Sequence, residues 1–157
     1  MKRVSLYLVL VVALLATGCG SNVYYDESRN VDEHGWQAAD SVAFDLQVDD
    51  TLQPYHFLVE LRNNVSYPYS NTFLFIRTTF PDGSFALDTL ECPLADPEGR
   101  WFGRRTGRYV DSRYYFRRNA RFPMTGNYRF AFTHGMRDTA LRGIENVGFE
   151  LLKYGKE

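Results

Sequence analysis

Val42-Ala43-Phe44-Asp45-Leu46-Gln47-Val48 alternates with period two, and its reading decides the fold. Val42, Phe44, Leu46 and Val48 share one face, and Asp45 and Gln47 share the other. This is the pattern of a half-buried strand. Asp49-Asp50-Thr51 follows as a turn. Tyr55 to Arg62 then repeats the pattern, with Tyr55, Phe57, Val59 and Leu61 inward and His56, Glu60 and Arg62 outward. Asn63 to Asn71 is a loop of turn formers. Thr72 to Phe80 is a third strand, whose centre, Phe73-Leu74-Phe75-Ile76, is apolar on both faces, as expected of a central strand in a two-layer core.

Pro81-Asp82-Gly83 is a tight turn, because Asp-Gly accepts positive φ, so Ser84 to Glu91 is expected to fold back on the third strand as a hairpin. Residues 92–112 carry Pro93, Pro97, Gly99, Gly103 and Gly107 and read as a long irregular loop, a feature often tied to function. A fifth strand is expected near Arg113 to Arg117. Tyr128, Phe130 and Phe132 form the inward row of the next strand, and Val147, Phe149 and Leu151 that of the last. Arg137 to Asn146 reads as a loop or one helical turn. Aromatic residues make up 16% of the chain, with 12 Phe and 11 Tyr, a composition suited to pleated, half-buried surfaces. Seven strands separated by turn signals, with no amphipathic helix, predict an all-β fold: one antiparallel β-sandwich, immunoglobulin-like or jelly-roll-like, with a closed β-barrel as the alternative.

Ahead of the domain, Lys2 and Arg3 precede the apolar run Leu6 to Leu15. Small residues Ala16-Thr17-Gly18 then lead directly into Cys19. This is an export signal ending in a lipobox. The run is shorter than the roughly 20 apolar residues of a membrane-spanning helix. Cys19 is therefore the expected lipidation site, and two or more acyl chains would give stable anchoring in membrane lipid. The expected organisation is signal peptide 1–18, tether 19–35, in which an edge strand can begin, and sandwich 36–157. Trp36 opens the domain as a core or edge-cover aromatic. Gly20-Ser21-Asn22, directly after the cysteine, contains no acidic run.

The 157-residue chain supports one domain with a real core. Loss of Lys2 and Arg3 with the signal leaves 16 basic against 19 acidic residues, a net charge of about −3, which argues against a nucleic-acid binder. Of the 2 cysteines, an acylated Cys19 leaves Cys92 without a disulfide partner. Cys92 then reads as a small buried apolar residue rather than a reactive thiol.

No nucleophile elbow, phosphate-binding loop, dinucleotide fingerprint or zinc-helix histidine pair occurs, so no cofactor and no metal are expected. His34, His56 and His134 fall in separate segments. Asp82, Asp88, Glu91, Asp96 and Glu98 are the carboxylates that a hydrolase would need to bring together. Basic residues from Arg100 to Arg142 are all arginine. Arginine suits protein interfaces through bidentate pairing and stacking, and equally suits a solvated face balanced by acids. Trp101 with Arg100, Arg104 and Arg105 is the candidate partner-binding cluster. Tyr67, Tyr69 and Trp101 would be the stacking platform of a glycan-binding alternative.

Several motifs in order carry a resemblance: Asn63 to Asn71, Phe80-Pro81-Asp82-Gly83, Leu94 to Trp101, Arg121 to Phe130, and Gly143-Ile144-Glu145-Asn146-Val147-Gly148. With Cys19, and Trp36 after Gly35, they resemble the gliding-motility lipoprotein family GldH of the Bacteroidota over nearly the whole chain. The resemblance implies an anchored, non-enzymatic envelope component that works with other gliding or type IX secretion envelope proteins, and, because Gly20-Ser21-Asn22 lacks the acidic run that signals surface export in that phylum, one on the periplasm-facing side of a Gram-negative cell envelope. It carries over no catalytic residue, and only the acylated Cys19 as a functional position.

Overall fold

The computed structural model describes residues 22–155, so the signal peptide and Cys19 lie outside the described residues. Every regular element among them is a strand: β1 Val23–Asn30, β2 Trp36–Gln37, β3 Val42–Val48, β4 Tyr55–Asn64, β5 Asn71–Thr79 and β6 Phe85–Pro93. They continue as β7 Arg104–Thr106, β8 Tyr109–Ala120, β9 Gly126–His134, β10 Ala140–Leu141 and β11 Ile144–Lys153. One sheet has the order β1-β11-β4-β8-β7 and the other β3-β9-β5-β6, with β2 and β10 forming a small separate pair. Each large sheet keeps two free edges, so the strands form an open sandwich and not the alternative barrel. All pairings are antiparallel.

The predicted inward rows form the core between the sheets. Phe44, Val48, Val59, Phe132, Val147, Phe149 and Leu151 have no accessible surface, and Tyr55, Tyr128 and Phe130 have 1%. Burying each large apolar side chain is worth about 1.5–3 kcal/mol, which is why period-two patterning fixes which side of each strand turns inward. Asp45 points outward as expected and takes Arg129 Nη1 at 2.7 and 2.9 Å. The Pro81-Asp82-Gly83 hairpin forms with Thr79 opposite Phe85 and Asn71 opposite Pro93, without a register break. Gly83 sits at φ 83°, and Asp82 Oδ1 accepts from Ser84 N and Oγ. Trp36 is buried at 2% and donates Nε1–H to Asp40 O at 3.0 Å, the bonded core aromatic expected of it.

Four expectations change. First, the edge strand expected only to begin in the tether takes up all of residues 23–30, as β1 along β11 from Val23–Leu152 to Asn30–Asn146. Their pattern is obscured because an edge strand buries little of either face. Second, Phe75 in the doubly apolar centre of β5 is 49% exposed; the outer face of its sheet is not covered. Third, residues 92–112 contain regular structure, since β7 and the start of β8 form a hairpin around Gly107 at φ 61°. Its glycines are turn and close-contact residues between the paired strands: Gly99 in the loop, Gly103 just before β7 and Gly107 in the β7–β8 turn. Fourth, residues 137–146 form no helical turn; Ala140 and Leu141 pair with Gln37 and Trp36.

His134 ends β9 buried at 3%, its ring edge-on to Trp36 at 5.6 Å. Burial pushes its pKa below the ordinary 6.5, against a smaller raising effect of the Trp36 backbone and Asp138. The unfolded chain therefore binds more protons than the folded one as pH falls through 6.5. Its contribution is fully present above that pH and lost below it. Urea midpoints of the wild type should drop more steeply between neutral and mildly acidic pH than those of His134→Gln. Parallel curves would mean that His134 does not report on acid stability.

Candidate functional site

The segment after β6 is pinned before it turns outward. Leu94 is fully buried, and the backbone N–H groups of Leu94 and Ala95 both donate to Ser70 O, at 2.7 and 2.9 Å. Asp96 then organises the loop. Its Oδ1 accepts from Glu98 N at 3.0 Å and Arg100 N at 2.8 Å, and its Oδ2 accepts from Arg100 Nε at 2.6 Å. Hydrogen bonds from the Arg100 backbone, with those of the Arg100 side chain and Glu98, hold the Asp96 carboxyl below the usual range. This is why Asp96-Pro97-Glu98-Gly99 closes tightly, with Gly99 at φ 81°.

Trp101 bridges back to Ala95 and packs half-buried against the core. Phe102 is 63% exposed while its N–H donates to Leu94 O. Gly103 lies against β8 so closely that an added Cβ would sit 2.3 Å from Ser112 Oγ and 2.4 Å from Asp111 O. β7 then presents Arg104 opposite Asp111 and Arg105 opposite Val110. Arg105 donates Nε–H to Gly107 O at 3.0 Å. The exposed Arg104 side chain makes no hydrogen bond or ion pair among the described residues.

Arg104 borders a cavity of about 430 Å³ on the outer face of the five-stranded sheet, lined also by Ser28, Glu60, Arg62, Asp111 and Arg113. Arg62 grips Asp111 with two bonds, Nε–Oδ1 at 2.6 Å and Nη2–Oδ2 at 3.1 Å. Arg113 Nε meets Glu60 at 2.8 Å, and Arg113 also pairs with the buried Glu150. Gly148 keeps the neighbouring surface low: an added Cβ would lie 3.0 Å from Glu60 Cβ. Such planar pairs hold their donors in fixed directions. The surface can thus present an oriented array of donors and acceptors, with Arg104 as its uncommitted cation.

The four predicted partner-binding residues lie along one stretch but in different states. Arg100 is tied to Asp96 and, at 3.6 Å, to Glu98. Trp101 is half-buried, whereas Arg104 and Arg105 are exposed. The stretch also carries an exposed aromatic, Phe102, that the Trp/Arg cluster did not include. Arg62 and Arg113 were missed because their acids are distant in sequence, and register alone brings them together. The glycan platform does not form: Tyr67 is buried at 4% and meets Tyr69 at 73°, not coplanar.

The five carboxylates do not gather in a cleft. Asp82 caps its turn, Asp88 meets Arg117 at 2.5 Å, Glu91 accepts from Asn71, and Asp96 and Glu98 hold Arg100. Histidines 34, 56 and 134 face Asp32, Tyr115 and Trp36 respectively. Cys92 is fully buried, and burial pushes its thiol up to about 12. Maleimide should leave Cys92 of the native protein unmodified and react only after denaturation; rapid native labelling would contradict this burial.

The fold and this surface define an all-β sandwich whose exposed chemistry is arginine–carboxylate pairing. A family model described as GldH lipoprotein matches residues 23–151, and the chain belongs to that family. It is 31% identical over 156 residues to the "Gliding motility lipoprotein GldH homolog" of Christiangramia forsetii, covering 95% of each chain. It is also 31% identical over 151 residues to the "Gliding motility lipoprotein GldH" of Flavobacterium johnsoniae, covering 92% of this chain and 93% of that one. Among solved structures, an arabinose-bound α-L-arabinofuranosidase aligns over 76% of this chain and 18% of its own at 13% identity and TM-score 0.37, a likeness from which nothing is argued. Family membership makes this a membrane-anchored lipoprotein of the cell envelope.

Proposed function

We propose that this protein is a non-enzymatic, lipid-anchored component of the gliding-motility apparatus, acting through protein–protein contacts, and that it also supports type IX secretion. The observation that carries the reading is the end-to-end similarity to the two gliding motility lipoproteins. Cys19 is its acylated anchor, and the domain faces the periplasm. Phe102, Arg104 and Arg105 form the contact surface, with Trp101 and Arg100 as its support. An exposed aromatic beside exposed arginines, of which Arg104 is uncommitted, is the composition of an interface hot spot. Trp101, packed on the core, and Arg100, held by Asp96, keep that surface in place.

The test is a crosslinked pull-down of the tagged full-length protein from native membranes, with Cys19→Ala as control. Motility or type IX secretion components should come down with the wild type and not with the control. Phe102→Ala with Arg104→Ala should lose them while the domain stays folded and anchored. Recovery of lipid and polysaccharide alone would overturn the reading.

A further inference from the structure

The strand register says which end of the sandwich faces the membrane. Only residues 20–22 separate Cys19 from Val23, the first residue of β1. Four residue steps span at most about 14 Å, so an acylated Cys19 holds the start of β1 within that distance of the lipid. β1 begins opposite Leu152, which pairs with His56, and Lys153 pairs with Tyr55, which lies opposite Ala120. The same sheet ends, at the other extreme, with Asn30 opposite Asn146, Asn146 opposite Arg62, and Arg62 opposite Asp111, the partner of Arg104. Thr106 pairs with Tyr109, and Tyr109 with Asn64. The run from Tyr55 to Asn64 places Thr106 about 30 Å beyond the anchored end.

The anchored end has the side chains that a lipid surface takes. Leu52 is 80% exposed on the β3–β4 turn, and Tyr154 is 47% exposed just after β11. The turn is tied to the chain end by Gln53 Nε2 donating to Tyr154 O at 3.0 Å and Tyr154 N donating to Pro54 O at 2.9 Å. The register puts Lys153, opposite Tyr55, and Arg118 and the exposed Arg121, on either side of Ala120, at the same end of the sheet; Arg118 stacks over Tyr115 at 3.9 Å. The acids of the same turn are engaged locally, Asp50 by the N–H of Leu52 at 2.7 Å and Asp49 by Gln47 at 3.1 Å. Leucine, tyrosine and basic side chains together match the headgroup zone of a bilayer.

We propose that the sandwich stands on the bilayer on its Leu52–Tyr154 end, with the Arg100–Arg105 stretch held away from the membrane. This rests on acylation of Cys19. Partners meeting Arg104 therefore approach from the membrane-distal side.

The experiment uses full-length protein purified from membranes, checked for lipid on Cys19 by mass and reconstituted into phosphatidylethanolamine–phosphatidylglycerol vesicles carrying a headgroup dye. Fluorophores go onto Thr51→Cys or Thr106→Cys; the buried Cys92 takes none. Energy transfer to the dye should be several-fold greater from the first site. Adding Leu52→Glu and Lys153→Glu should cut transfer from the Thr51 site while the lipid on Cys19 remains. Equal or reversed transfer in acylated protein, or insensitivity to the double substitution, overturns the orientation and leaves the anchored reading standing. An unmodified Cys19 overturns both.

Discussion

Replacing Phe149 with Ala should lower unfolding stability by about 4 kcal/mol, among the larger costs a core truncation produces. Phe149 is fully buried in the middle of β11, the strand flanked by β1 and β4. Its ring lies 4.6 Å from Phe130, 5.6 Å from Tyr25, 5.8 Å from Phe132 and 5.9 Å from Phe44. Removing it takes away apolar burial and leaves a void that rings from both sheets would have to move to fill. Rings already packed edge-on and tilted cannot close such a gap without losing their own contacts. The melting temperature should fall by about 12 °C. Leu87→Ala is the control, because Leu87 is 67% exposed on edge strand β6 and should change stability by about 0.5 kcal/mol or less. Similar urea midpoints for the two variants would remove Phe149 from the centre of the core.

Gly103→Ala should cost about 3 kcal/mol if β7 stays in place, by overpacking. The new methyl would lie 2.3 Å from Ser112 Oγ, 2.4 Å from Asp111 O and 2.8 Å from Val110 Cγ1. Ser112 Oγ can rotate away, but Asp111 O belongs to the backbone of β8. The least costly escape is for the three-residue β7 to leave the sheet, since short edge strands open at low free energy. Amide exchange should accelerate at residues 104–106 while β4 and β11 stay protected, and partner capture should fall as it does for Phe102→Ala with Arg104→Ala. Gly99→Ala separates strain from crowding: Gly99 has φ 81° and nothing within 4 Å of an added Cβ, so only the left-handed backbone cost of about 1–2 kcal/mol applies. Unchanged exchange at β7 in Gly103→Ala would rule out the close contact.

Much of the core was legible because its strands obey one rule. In β3 and β9 the buried face alternates with a more exposed one, and in β4 and β11 the inward row keeps the same period although Leu58, Gly148 and Glu150 on the other face are buried too. The hairpin at Pro81-Asp82-Gly83 was legible because its turn chemistry is local. β1 was legible only as the start of an edge strand, because its neighbour β11 lies at the far end of the chain and supplies pairing that no local pattern announces. β7 was hidden by the glycines that make it possible, Gly103 for closeness to β8 and Gly107 for the turn.

The candidate surface divides in the same way. The arginine-rich stretch was visible as composition, but composition could not say which of its side chains are free. Arg100 and Asp96 are four residues apart and their pairing is local. Arg62 and Asp111, 49 residues apart, meet only through the β4–β8 register. The exposure of Phe102 beside the half-buried Trp101 depends on which way each side chain turns once Leu94 and Gly103 are fixed.

By itself the sequence determined the inward rows of the strands and the tight hairpin. Each of these is encoded by neighbours within a few positions, through residue type, period or backbone preference. The tertiary structure decided the edge role of β1, the free or committed state of each arginine and the end of the sandwich at which β1 begins. Those depend on which strands pair and in what register, and that is set by burying both sheets' apolar faces at once.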